Sequence, residues 1–154
     1  MAEILVVDDD PDIRSLLRLT FESYGHSVRE AGDGVAALAA LEDRVPEAVI
    51  LDVMMPKLDG YGVLRAMRQR DLAPTTRVLM LTCKTDERDF VRGFELGADE
   101  YQTKPFEPDQ LADDVGRLLQ TPDEALHRRR QAELEKAELL DRLESAFTRP
   151  GRRS

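Results

Sequence analysis

The stretch Ile4-Leu5-Val6-Val7-Asp8-Asp9-Asp10-Pro11 runs four apolar residues straight into three acids and a proline. An apolar run without polar alternation reads as a strand covered on both faces, the kind that parallel sheets place between helices. Asp10-Pro11 then offers an N-cap acceptor and a first-turn proline, so a helix follows at once. Val49-Ile50-Leu51-Asp52 repeats the pattern of an apolar run ending in an acid, and Tyr101-Gln102-Thr103-Lys104-Pro105 sets a lysine just past another strand. In an open α/β sheet the carboxyl edge of the strands is where ligands bind. Carboxylates gathered there repel one another unless a divalent cation or a positive side chain compensates. The pattern therefore points to a metal site built around one reactive carboxylate.

Working outward, short apolar runs alternate with amphipathic stretches through residue 120. Strands are predicted at 3–8, 27–31, 47–52, 77–82 and 99–103, and helices at 11–24, 34–44, 59–70, 86–96 and 108–120. Ile13, Leu16, Leu17, Thr20 and Phe21 share one face of the first helix, which predicts that this face is buried on the sheet. Gly97 falls where a helix C-cap would sit. Five βα units of this length make a doubly wound, five-stranded parallel sheet of the flavodoxin-like class, with strand order 2-1-3-4-5.

Residues 121–154 read differently and form a C-terminal helical extension to the 1–120 domain. Thr121-Pro122-Asp123-Glu124 has the form of a capping box, and nothing after it breaks a helix before Phe147. The predicted helix, 122–147, is about 39 Å long. Its first half, with Arg128-Arg129-Arg130, is polar nearly all round, while Ala132, Leu139, Leu140, Leu143 and Phe147 form a stripe on its second half. Partner binding or self-association, packing on its own domain, and a linker toward an output domain all remain open readings. Whether Ser154 is the natural end is not written in the sequence.

Composition narrows the function classes. With 42% hydrophobic and 34% charged residues over 154 positions, the chain can bury a real core. No apolar run is long enough to span a membrane, and the single cysteine, Cys83, suits a reducing cytoplasm and reads as a small packing residue. Residues 1–120 carry 14 Lys/Arg against 24 Asp/Glu, and residues 121–154 carry 8 against 7, so the net charge of −9 lies entirely in the first 120. Such a surface makes nucleic-acid binding by these residues an unfavourable expectation. His26 and His127 read as solvated or capping residues.

The chemistry follows from the acids. Asp9 and Asp52 at adjacent strand ends can share a hard cation, with Asp8 reaching it through water, and Mg2+ suits two carboxylates and several waters. A carboxylate beside that ion can act as a nucleophile toward phosphorus. Lys104 supplies positive charge for phosphoryl oxygens, and Thr82 a hydroxyl. No G-x-G-x-x-G and no P-loop follows any strand, so a nucleotide-binding enzyme is disfavoured.

Taken in order, Asp8-Asp9, Leu51-Asp52-Val53-Met54-Met55-Pro56, Asp59-Gly60, Leu81-Thr82 and Tyr101-Gln102-Thr103-Lys104-Pro105-Phe106 resemble the receiver domain of two-component response regulators over about residues 2–120. The resemblance implies that Asp52 accepts phosphate from a sensor histidine kinase or phosphotransfer protein. It implies that Asp9, Asp52 and the Met54 carbonyl ligate Mg2+, with Asp8 holding a metal-bound water. Lys104 would pair with the phosphate, Thr82 would turn inward to bond it, and Tyr101 would follow. The switch surface would comprise the 86–96 helix, the 99–103 strand and the 108–120 helix, and Lys104–Pro105 would be cis. Output would run to a downstream protein partner or to self-association through the 108–120 and 122–147 helices. The chain would not be a conventional enzyme, since it would assist only its own phosphorylation and dephosphorylation. Cys83 departs from the Ala or Gly usual after the threonine. Two rival readings stand beside this one: a receiver-shaped scaffold acting without phosphorylation through its C-terminal helix, and an aspartyl-phosphate phosphohydrolase. The second fits less well because its acids would stand as Asp-x-Asp after the first strand.

Overall fold

The computed structural model describes residues 1–83, 91 and 93–148. The strands are β1 (Glu3–Val7), β2 (Ser27–Ala31), β3 (Ala48–Asp52), β4 (Arg77–Thr82) and β5 (Glu100–Thr103). The helices are α1 (Pro11–Ser23), α2 (Gly34–Asp43), α3 (Gly60–Gln69), α4 (Pro108–Gln120) and α5 (Asp123–Thr148). The helix predicted over 86–96 lies largely outside the described residues. Its end is visible: residues 93–95 are helical, Gly97 takes the left-handed φ of 98° that favours glycine, and Ala98 N–H closes the turn on the Gly93 carbonyl.

All pairings are parallel and the strand order is β2-β1-β3-β4-β5, as predicted. Side-chain alternation explains why the strands are apolar throughout. Leu5, Val7, Val49 and Leu51 point toward a core shared with Leu38, Leu64 and Met67 of α2 and α3. Ile4, Val6 and Ile50 point the other way, onto Leu17 and Phe21 of α1 and Leu111, Val115 and Leu118 of α4. With both faces covered, a polar residue at any of these positions would have to be desolvated, which polarity cannot offset without a partner. The register places Val7 opposite Leu51, Asp52 opposite Leu81 and Thr82 opposite Thr103, so the ends of β1, β3, β4 and β5 line one edge.

Three expectations for the helices need correction. On α1 only Leu17 and Phe21 are fully buried, while Leu16 is 40% exposed, so the apolar face is narrower than its spacing suggests. Thr121 does not open α5: its hydroxyl bonds back to the Arg117 carbonyl at 2.6 Å and its N–H to Leu118, so it ends α4. The first half of α5 is not polar all round either. Leu126 is 2% exposed and joins the α1–α4 core, and Arg77 of β4 bonds the Thr121 carbonyl and pairs with Asp123 at 2.5 Å. The later stripe is exposed, with Leu139 at 51% and Phe147 at 85%.

Candidate functional site

At the carboxyl edge, the strand ends bring Asp8, Asp9 and Asp52 together, with one carboxylate oxygen of each within 4.8 Å of the other two. Asp8 and Asp52 are buried and Asp9 is exposed, which leaves one open side to the cluster. Asp8 is fixed on several sides: its Oδ1 accepts the Asp10 N–H at 2.9 Å, and its carbonyl accepts Arg14 Nη1 at 2.7 Å. Asp52 Oδ1 accepts the Met54 N–H at 3.1 Å. This turn brings the backbone after β3 close to the start of α3, and Gly60 makes the approach feasible, since a Cβ there would run into the Asp52 carbonyl and lie 2.9 Å from Val53 Cα.

Lys104 reaches the cluster from the end of β5, next to a cis Lys104–Pro105 bond. Its ammonium donates to Asp8 Oδ2 at 2.9 Å and stands 3.5 Å from Asp52 Oδ1, so the tighter pairing is with Asp8 and not with Asp52. Burial pulls the Lys104 pKa down, but Asp8 and Asp52 outweigh it and hold the ammonium above its ordinary value. For Asp52, burial and the Asp8 charge push the carboxyl up to about 7, against the opposing pull of Lys104 and the Met54 N–H. Three carboxylates face one ammonium here. All the donors are hard oxygens, one of them open to solvent, and that set fits a hard divalent cation such as Mg2+.

Thr82 is fully buried at the end of β4, beside β5. Tyr101 is half-buried, with its hydroxyl donating to that of Tyr61 at 3.1 Å and its ring edge-to-face with Phe94 at 5.4 Å. Gly93 permits this, because a Cβ there would collide with the tyrosine ring. The Met54 side chain is 51% exposed, and its backbone N–H is the group bonded to Asp52. Cys83 is exposed, which corrects its reading as a packing residue. His26 caps a strand, its Nδ1 accepting the Ala2 N–H at 3.0 Å.

Sequence reasoning missed Arg14, Tyr61 and Asp99. Arg14 and Tyr61 lie on helices, where one more arginine or tyrosine carries no signal of the strand end it supports. Asp99 is buried just before β5, where it accepts the Val78 N–H at 2.9 Å and pairs with Arg130 of α5. Nothing in an Ala-Asp-Glu triplet marks that burial.

The model of the response regulator receiver domain matches residues 4–116. Among curated proteins, the chain is 46% identical over 117 residues to the alkaline phosphatase synthesis transcriptional regulatory protein PhoP of Bacillus subtilis, covering 76% of this chain and 48% of PhoP. The chain thus spans about half the length of the curated relatives it matches. Among solved structures, the chemotaxis protein CheY4 of Vibrio cholerae superposes with a TM-score of 0.73 at 34% identity, covering 77% of this chain and 98% of CheY4. NtrX of Brucella abortus matches with a TM-score of 0.69 at 31% identity over 94% of this chain and 30% of NtrX, which takes that likeness into α5. No described helix is long and apolar enough to cross a membrane. The sheet order, the acidic edge and these matches agree, and the chain belongs to the response regulator receiver domain family of two-component systems.

Proposed function

We propose that Asp52 is the phosphoacceptor, taking a phosphoryl group from the histidine of a sensor kinase or phosphotransfer protein in the cytoplasm. The carrying observation is the placement of Asp52: buried, beside Lys104, and next to the open, exposed Asp9. In the transfer an Asp52 oxygen bonds to phosphorus as the phosphorus–nitrogen bond to histidine breaks, and the histidine keeps the electron pair. Asp9, Asp52 and the Met54 carbonyl would hold Mg2+, with Asp8 behind a water. When bound, the ion supplies positive charge to the phosphoryl oxygens.

The remaining roles belong to the chain's own residues. Lys104 stands within reach of an oxygen added to Asp52 and pairs with it, loosening its hold on Asp8. Thr82 donates its hydroxyl to the phosphoryl group, and Tyr101 moves inward behind it. These contacts favour one of two pre-existing arrangements of β5 and its neighbours. In this reading residues 1–120 are the receiver and 121–154 an extension that passes the change to a protein partner or to a second copy. PhoP is named a transcriptional regulator, which supports a regulatory output over turnover of a metabolite.

Intact mass after incubation with a small-molecule phosphodonor and Mg2+ tests the reading. Wild type should gain one phosphoryl group, and it should gain none without Mg2+ or as Asp52→Asn. A folded wild type that gains nothing from the donor or from a cognate kinase would favour the phosphorylation-independent scaffold.

A further inference from the structure

At the end of the sheet away from the carboxylates, the first turns of α5 close over a cleft against the body of the domain. Two adjoining cavities of about 360 Å3 and 270 Å3 lie there, and both are walled by Arg68, His127 and Arg130. The larger also has Arg77, Asp99 and Asp123 in its wall. Arg130 pairs with Asp99 and Arg77 with Asp123, so two of the three guanidiniums are neutralised. Arg68 is not. Its Nε donates to the Leu96 carbonyl at 2.8 Å and its Nη2 to the Gly97 carbonyl at 3.0 Å, and neither partner carries charge. Among the described residues it has no carboxylate within ion-pair distance and no bond from Nη1.

A guanidinium half withdrawn from water without a counter-charge is an electrostatic imbalance. Burial lowers the Arg68 pKa most; Asp99 raises it, the neighbouring Arg130 lowers it again and Asp71 raises it, and the walls of the two cavities set Asp99, Asp123 and Glu95 beside Arg68, Arg77 and Arg130. Gly97 keeps the place open, since a Cβ there would meet the guanidinium at 2.7 Å. The cavity volume lies in the range of small-ligand sites. Fixed, planar donors beside such a space are suited to an oxyanion, above all a phosphate group, which arginine meets with two parallel bonds.

We propose that the cleft between α5 and the receiver body binds a phosphate-type oxyanion through Arg68 and Arg130, with His127 at its rim. The ion would bridge body and helix and hold α5 docked. This site is separate from Asp52, and the proposal does not depend on phosphotransfer there.

The test uses the full chain as Asp52→Asn in EDTA, which removes the carboxylate site from the readout. Inorganic phosphate and pyrophosphate are titrated by calorimetry, with thermal unfolding followed against chloride at equal ionic strength. Saturable millimolar binding, with a rise in Tm beyond that in chloride, is expected. Arg68→Gln should weaken it about tenfold, as expected for loss of a charge-assisted bond, and Arg65→Gln on the exposed side of α3 should not. If Arg68→Gln fails to fold, Arg130→Gln takes its place. Tighter binding of pyrophosphate would point to a diphosphate-bearing ligand, and equal binding to phosphate itself. Absence of saturable binding, or binding unchanged in Arg68→Gln (in Arg130→Gln where that variant takes its place), would overturn the proposal.

Discussion

Asp52 is the residue on which the physics is most exposed. Its carboxyl sits near 7 against an ordinary 3.8, so the folded protein prefers it protonated. The sign follows from linkage: this group favours folding at low pH, and its contribution is lost as pH rises from about 4 through 7. In Mg2+-free buffer Asp52→Asn should therefore be the more stable protein at pH 8, by on the order of 1–3 kcal/mol, with the gap closing toward pH 4. Urea titrations at a series of pH values read this directly, and a gap that widens on acidification would contradict it. Mg2+ should raise the Tm of wild type at pH 8 and do so less for Asp9→Asn, as a thermal scan with and without the ion would show. Thr82→Ala should still accept phosphate but respond more weakly at matched phosphorylation, measured as the change in hydrogen exchange along β5. Equal responses would remove Thr82 from the switch. That Asp8, Asp9, Asp52 and Lys104 meet at one edge was legible because each stands at the carboxyl end of a strand, Asp8 and Asp9 after β1, Asp52 at the end of β3 and Lys104 after β5. That Lys104 lies closer to Asp8 was not, because both carboxylates are compatible with every sequence signal and only the distances separate them.

Among the elements, the turn from β3 to α3 and the start of α5 carry the constraints least visible in sequence. Gly60 reads as a turn glycine, yet its freedom is used for close approach and not for an unusual φ. Gly60→Ala should cost about 1–3 kcal/mol by overpacking, seen as a lower urea midpoint with the same slope. On α5, Leu126 is buried while Leu139 is half exposed. Leu126→Ala should destabilise by about 2–4 kcal/mol, whereas Leu139→Ala should stay within about 0.5 kcal/mol. Equal effects would mean that the helix is not docked as described. The helical period of 122–147 was legible from the absence of breakers. Its docked face was not, because a lone leucine among arginines gives no stripe, and the clearer stripe further on is the exposed one.

For the whole molecule, the docking of Leu126 changes where the chain can be cut. A chain ending at Gln120 loses Leu126 from the core that Leu118 shares and the bonds of Arg77 to Thr121 and Asp123, and it should unfold at lower urea than the full chain. A chain ending at Leu134 should match the full chain, and both should gain a phosphoryl group if Asp52 acts as proposed. Equal midpoints for the two truncations would show that α5 contributes nothing to the fold. By itself the sequence determined the strands, the 2-1-3-4-5 order and the residues at the acidic edge. Burial on both faces forces continuous apolar runs, right-handed crossovers leave few orders, and a motif at a strand end is carried to the sheet edge by the strand. Tertiary structure alone decided that Asp99 is buried against Arg130, that Cys83 is exposed, that Thr121 ends α4, and that Arg68 has no carboxylate partner among the described residues. Each depends on distances between elements far apart in sequence, and local propensity carries no information about such distances.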